Sequence, residues 1–415
     1  MKKALIFLCL TLMACPLQAQ NDASLREGDA QHDASSHDSE APSTTLAWPR
    51  NVQSAIDRQV QAPLLNTSQL GLLVWDLTAD SAIYRYNDRQ LMRPASTMKL
   101  VTAITALDCL GGKHRYSTSL LYRGEIINRR LMGDLYVMGG MDPLLDGSDL
   151  QAFATALREA GIDSICGTLL ADRSMKDTLR WGEGWCWDDK NPILSPLTLG
   201  RNTRFMERFA EKLAAEGMVA DTVALGDDIT PDDAEFVTVR QHSLDQVLLK
   251  MMKESDNFFA ESVLFQTAAS HGNRFATARD GLAQTRRLVN SIGLNASDYR
   301  FADGSGLSLY NYVSAELLTR LLRYAWLKKD IYIHLLPTLP IAGQDGTLKK
   351  RMRRSAAEGN VRAKTGTLTG IVSLAGYCTA ANGHELCFAI INQGIMHSRE
   401  GRDFQDRICE LLCKP

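Results

Sequence analysis

Three short groups of residues could do chemistry together. Ser96-Thr97-Met98-Lys99 places a hydroxyl and an amine three positions apart. On a helix those positions share a face, so Lys99 can reach the Ser96 hydroxyl. A hydroxyl is a poor nucleophile until a base takes its proton. Lysine serves as that base only when it is sometimes neutral, a state favoured by burial and by nearby positive charge. The run Leu100 to Leu107 is apolar or small nearly all round, which predicts a buried helix. Lys364 is the candidate for the second charge. Pro94 suits a helix entry and puts Ser96 in the first turn, where its own N–H is unpaired and can face a developing oxyanion.

The second group, Ser255-Asp256-Asn257, falls between two helical patterns, where a short loop can project polar groups. Ser255 can relay a proton to a leaving group and Asn257 can hold a substrate amide. The third, Lys364-Thr365-Gly366, begins a strand. Gly366 would leave room for a substrate backbone to pair alongside, and Lys364 and Thr365 could then bind a terminal carboxylate. Each group alone is commonplace: a helix start, a polar cap, a turn. Together they outline acyl transfer to a serine. No C-x-x-C or H-E-x-x-H pattern occurs, so neither a metal nor a cofactor is expected.

These residues need a scaffold. A helical pattern runs from Asn51 to Val60, and Leu70–Leu77 and Ala82–Tyr86 read as strands joined by a turn at Thr78-Ala79-Asp80. From about His114 to Arg240 the character is α/β, with strands at Leu131–Met138 and Ser164–Ala171. Between them, Ser148-Asp149-Leu150-Gln151 has capping-box spacing and opens a helix that Gly161 ends. Long helices return at Ser243–Lys253, Phe258–Ala268, Thr277–Ile292 and Ser314–Leu327. The end is antiparallel β, Val361–Thr379 and Glu385–Asn392, before a last helix at Asp403–Cys413. A two-residue turn at Asn382-Gly383 would set Cys378 opposite Cys387, close enough for a disulfide that remains optional.

Lys2 and Lys3 precede an apolar stretch, Ala4–Ala14, and Ala19 offers a small residue for cleavage. This is the pattern of a secretory signal. Leu12-Met13-Ala14-Cys15 also loosely fits a lipoprotein signal, so contact with a membrane is expected only if Cys15 is lipidated. Gln20 to about Thr45 lacks large apolar side chains and reads as a flexible tether, its His32 and His37 merely solvated. The net charge of −2, from 46 basic and 48 acidic side chains, excludes an overall nucleic-acid binder. The local basic run Lys349–Arg354 reads as a solvated face. Of nine cysteines, seven follow the signal, an odd number that leaves at least one unpaired within the chain.

In this order the three motifs are the signature shared by β-lactamases and penicillin-binding proteins. The chain resembles the D-alanyl-D-alanine carboxypeptidase/endopeptidase branch of the latter, peptidase family S13. Further matches are Tyr136–Leu144, Asp303–Ser308, Leu339–Leu348 and Arg362–Gly370, within a likeness that spans Trp48 to the C-terminus. The resemblance implies a mixed α/β (α+β) fold. A transpeptidase/β-lactamase-like domain would combine an antiparallel sheet, flanking helices and a helical subdomain, interrupted by an inserted α/β domain. The expected divisions are 1–19 signal, 20–47 tether, 48–113 with 241–415 catalytic, and 114–240 inserted. A further nested domain of several relatives would be absent, because Arg201-Asn202 passes into a helix almost at once.

The resemblance also implies roles. Ser96, Lys99, Ser255, Asn257 and Lys364 would be catalytic, and Thr365 and Gly366 would bind substrate. The backbone N–H groups of Ser96 and Thr367 would form the oxyanion hole. Asp303–Ser308 would be a Gly-rich turn serving as scaffold. Asp142, held extended by Pro143, would project its carboxylate toward the free amine of the substrate's diamino acid. The partners implied are peptidoglycan stem peptides and cross-links, with β-lactams as inhibitors. Two rivals stand beside this reading: a β-lactamase with the same triplet, and a catalytically silent wall-binding or antibiotic-sensing protein.

Overall fold

Buried side chains alternate faces along the strands and run all round two central helices, and this pattern organises the molecule. The computed structural model describes residues 46–189, 191–220 and 223–414. The signal, the tether, Cys9, Cys15, His32 and His37 lie outside the described residues.

Helix α1 (Arg50–Gln59) buries Val52 and Ile56, four positions apart on one face. Strands β1 (Gln69–Asp76) and β2 (Ser81–Tyr86) pair antiparallel. The turn between them is held by Asp76 Oδ1, which accepts the Thr78 and Ala79 N–H groups, both at 2.9 Å. Helix α2 (Met98–Leu110) is buried at every residue from Met98 to Leu107, as its composition requires.

Next come β3 (Arg115–Ile127), β4 (Arg130–Met138), α3 (Gly147–Glu159), β5 (Ser164–Ile165) and β6 (Leu169–Asp172). They are followed by α4 (Phe205–Ala215), β7 (Leu225–Asp227) and β8 (Glu235–Ser243). These strands form a six-stranded mixed sheet in the order β7-β6-β4-β3-β8, with β5 added beside β4. Helices α3 and α4 pack on it, with Phe153 edge-on to Phe209 at 5.8 Å. Two expectations change here. The capping box of α3 belongs to Asp146 and Asp149, so the helix starts earlier than Ser148. The segment Ser164–Ala171 is two strands, because Gly167 lies against the Gly133 carbonyl where no side chain fits.

The chain then enters α5 (Leu244–Lys253), α6 (Asn257–Ala268), α7 (Ala278–Ser291), α8 (Ala315–Leu327) and α9 (Lys329–Leu335). It closes with β9 (Arg362–Leu368), β10 (Ile371–Thr379), β11 (Glu385–Gln393) and α10 (Ser398–Cys413). The expected single run Val361–Thr379 is broken at Gly370, whose φ of 75° turns the chain. A five-stranded antiparallel sheet results, ordered β2-β1-β11-β10-β9. One face carries Leu73, Tyr377, Cys387 and Ile391 into a core with α2, α5, α6, α7 and α8. The other carries Leu72, Leu374, Cys378 and Phe388 into a core with α1 and α10.

That division overturns the expected cysteine pair. Ala380 accepts the Gly383 N–H and donates its own to His384, both at 2.8 Å. The loop is therefore three residues, Ala381–Gly383, with Gly383 at φ 84° in the left-handed region that such loops favour. Tyr377, not Cys378, stands opposite Cys387. A one-residue slip flips every side chain to the other face. Cys387 faces the helices and reaches the Thr319 carbonyl at 3.7 Å, whereas Cys378, a free thiol, hydrogen-bonds the free thiol of Cys413 on α10.

Candidate active site

Four elements converge on Ser96. The nucleophile's turn, Ala95–Thr97, is a short 3-10 turn leading into α2. Ala95 takes φ 48°, a conformation strained for a residue with a side chain. The space that permits this turn comes from glycines. Gly306 lies against the Ala95 carbonyl. A Cβ on Gly366 would lie 2.8 Å from the Pro94 carbonyl and 2.9 Å from the Ser96 nitrogen, and would collide with Ser373 Oγ. Gly366 thus makes room for the nucleophile's own backbone, where the sequence suggested room for substrate. Ser373 Oγ donates to the Pro94 carbonyl at 2.5 Å and holds the turn against β10.

Lys99 is fully buried one turn along α2. Its Nζ reaches Ser96 Oγ at 3.0 Å, Asn257 Oδ1 at 2.7 Å and the Ser305 carbonyl at 2.8 Å. The Asn257 Oδ1 and Ser305 carbonyl oxygens are acceptors. A neutral amine can donate to both and keep its lone pair for the Ser96 hydroxyl. Burial brings Lys99 down to about 7, against the opposing attraction of Asp303 and Glu261.

The S-D-N loop is held by its own middle residue. Asp256 caps α6, accepting the Phe259 N–H at 3.2 Å, and pairs with Arg201. Ser255, at φ 60°, is a second strained residue, and its hydroxyl accepts from Lys364 Nζ at 2.8 Å. Lys364 is fully buried, and Nζ also donates to the Thr365 carbonyl at 2.7 Å. Burial, and then the Lys99 charge, hold Lys364 well below the ordinary lysine range. Coulomb repulsion is reciprocal, so two buried ammonium groups here disfavour each other.

Strand β9 lies at the edge of its sheet. The Ala363 N–H points outward to the Pro340 carbonyl at 3.0 Å. Strand alternation then turns the N–H groups of Thr365 and Thr367 outward as well. Beyond the Ile341–Arg362 bridge that edge carries no further strand among the described residues. Thr365 Oγ1 donates to Thr347 Oγ1 at 2.8 Å, and Thr367 is exposed.

Ser96, Lys99, Ser255, Asn257, Lys364, Thr365 and Gly366 therefore meet in one place. Asp142 does not join them. Its carboxyl is fully buried, accepting the Leu144 N–H at 3.0 Å and sharing a hydrogen bond with His242 Nδ1 at 2.7 Å. Met141, at φ 52°, turns the chain one residue before Pro143 can act, and the side chain points inward. Asp142→Asn is expected to cost about 1–3 kcal/mol of stability, the usual result of impairing a buried hydrogen-bonded group. Thermal denaturation reads that loss. Turnover by the folded variant should fall equally on substrates with free and acetylated amines. A selective loss on the amine substrate would restore the expected role.

Several site residues left no sequence signal as such. Glu261, Ser305, Ser373 and Asn191 are ordinary polar residues until the fold places them. Asn191 Oδ1 accepts from Asn257 Nδ2 at 3.3 Å. Trp185 Nε1, from the same segment, donates to Asp303 Oδ2 at 2.9 Å. The Gly-rich turn Asp303–Ser308 could be read, but not its carbonyl on Lys99.

A family model for the D-Ala-D-Ala carboxypeptidase 3 (S13) family matches residues 52–198 and 199–414. The chain belongs to this family. It is a serine-type peptidase, a hydrolase, of the D-alanyl-D-alanine carboxypeptidases. Among relatives of this S13 peptidase, a carboxypeptidase of Mycobacterium tuberculosis is 31% identical, over 81% of this chain and 78% of its own. The D-alanyl-D-alanine carboxypeptidase of Actinomadura sp. (strain R39) is 27% identical, over 82% and 80% of the two chains. The crystal structure of penicillin binding protein 4 from Haemophilus influenzae aligns with a TM-score of 0.75 at 25% identity. That match covers 86% of the S13 peptidase and 97% of the other chain.

Proposed function

We propose that the protein cleaves the terminal D-alanine from peptidoglycan stem peptides, and D-Ala–diamino acid cross-links, through an acyl-enzyme on Ser96. The observation that carries this reading is the Lys99 amine, buried and 3.0 Å from Ser96 Oγ. Lys99 takes the Ser96 proton as Oγ attacks the carbonyl carbon of the penultimate D-alanine. The carbonyl oxygen becomes an oxyanion facing the N–H groups of Ser96 and Thr367. Each such donor contributes about 2.7–4 kcal/mol in comparable sites.

The substrate lies antiparallel along the open edge of β9, with its terminal carboxylate at Lys364 and Thr365. Collapse of the tetrahedral adduct breaks the C–N bond, and the proton held by Lys99 passes through Ser255 to the leaving amine, which returns Lys99 to its neutral form. Water then attacks the ester and gives a proton to Lys99, which passes it to Ser96 Oγ as the ester C–O bond breaks and the shortened peptide leaves with a free carboxyl group. Asn257 holds Lys99 on one side and the substrate amide on the other. A β-lactam enters by the same first step, and its opened ring stays on Ser96.

The same reading places the enzyme outside the cytoplasm, after removal of a signal ending near Ala19 or lipidation of Cys15. It also assigns residues 114–240 to an inserted domain that packs beside the catalytic one. Digestion of purified wall fragments, with products identified by mass, tests the activity. Release of free D-alanine and conversion of cross-linked dimers to monomers are expected. A protein that takes up penicillin yet releases neither would be a sensor, and the proposal would fall.

A further inference from the structure

Glu261 is a buried carboxyl that the steps above leave unused. It is 1% exposed and sits on α6 one turn after Asn257, so both side chains face the same way. Its Oε1 accepts the Ser305 N–H at 2.9 Å and the Gly304 N–H at 3.1 Å, and its Oε2 lies 3.2 Å from the Gly304 nitrogen. These are the two residues that meet α2 with their carbonyls. The Gly304 carbonyl accepts Thr102 Oγ1 at 2.6 Å, and the Ser305 carbonyl accepts Lys99 Nζ at 2.8 Å. Thr102 and Lys99 lie three positions apart on one face of α2. One carboxyl therefore grips the Gly304 and Ser305 N–H groups from behind; the Ser305 N–H shares its peptide unit with the carbonyl at Thr102, and the next unit carries the carbonyl at Lys99.

We propose that Glu261 is a positioning residue for the base. It fixes Gly304 and Ser305 so that the Ser305 carbonyl aims the Lys99 lone pair at Ser96. The inference rests on Lys99 being the base. Charged groups face Lys99 from each element around it: Glu261 on α6, Asp303 on the Gly-rich turn and Lys364 on β9. Asp303 is committed elsewhere, accepting the Gly306 and Ser308 N–H groups and the Ser305, Asn311 and Trp185 side chains. Burial, followed by Asp303, pushes Glu261 up to about 8, against the pull of Ser305, Gly304 and Lys99. Glu261 therefore acts on the turn through its hydrogen bonds and not through its charge.

The sign of the effect follows. Acylation needs neutral Lys99, so its rate falls as pH drops through the lysine's range. Glu261, pushed up to about 8, is already protonated where Lys99 titrates, so its replacement leaves the acid limb in place. Loosening the Ser305 carbonyl misaims the amine and lowers the plateau. The second-order rate of penicillin acylation should be measured across pH for wild type, Glu261→Gln and Thr102→Val, alongside Tm.

For Glu261→Gln the expected result is a plateau reduced about tenfold or more, with the acid limb in place. Thr102→Val removes a hydrogen bond on the Gly304 carbonyl without touching a charge. Its plateau should fall while its limb stays in place. Folded Glu261→Gln with an unreduced plateau would overturn the proposal. An unreduced plateau in Thr102→Val would overturn it too, and this variant still decides if Glu261→Gln fails to fold. Lys99→Arg is the control for the underlying reading: acylation that persists there would sink the base assignment, whichever way Glu261 behaves.

Discussion

Ser96→Ala is expected to abolish penicillin labelling and D-alanine release together, with turnover reduced by roughly 10⁴–10⁶-fold, as when the nucleophile of other serine hydrolases is removed. The argument is geometric. Ser96 Oγ is the hydroxyl within reach of the buried Lys99 amine, at 3.0 Å. Ser255 is committed to the other lysine, Lys364, at 2.8 Å. A β-lactam should therefore add its mass to the tryptic peptide that ends at Lys99. The alanine variant should fold, since Ser96 is part-exposed and its neighbours are held by Pro94, Gly366 and Ser373. Mass spectrometry of labelled digests decides the matter. Label that persists on the alanine variant, or that maps to Ser255, would remove Ser96 from the mechanism.

The second large effect is Lys99→Arg. Arginine keeps the charge and cannot give up its proton in a protein, so it cannot accept one from Ser96. Loss of the general base should cost about 10²–10⁴-fold in acylation. The wild-type rate should climb with pH through about 7, where burial has brought Lys99, and fall about tenfold per unit below it. Lys364→Arg should be milder in chemistry, because the positive charge for the substrate carboxylate survives. Its bulk enters a fully buried site, at a typical cost of about 1–3 kcal/mol. Stopped-flow acylation of both variants across pH separates the two lysines. A Lys99→Arg enzyme acylated at near the wild-type rate would assign the base elsewhere.

The sequence alone determined the order and chemistry of the three motifs and the elements that carry them. Helical spacing set Lys99 over Ser96, and an apolar run announced the buried helix that depresses its proton affinity. Such features are local: they depend on residues a few positions apart and on periodicity. Resemblance carried the family beyond what periodicity could reach. What failed was non-local or turned on a single dihedral. Gly383 at φ 84° makes the last hairpin loop three residues long, and that one residue sent Cys387 to the opposite face from Cys378. Met141 at φ 52° turned Asp142 inward to His242. The contact of Gly366 with the nucleophile's own turn was equally out of reach. Glu261 and Ser305, 44 positions apart, meet at 2.9 Å behind Lys99. No periodicity joins such residues. Only the packing of α6 and the Gly-rich turn against α2 brings them together, because buried polar groups must find their partners wherever the fold places them.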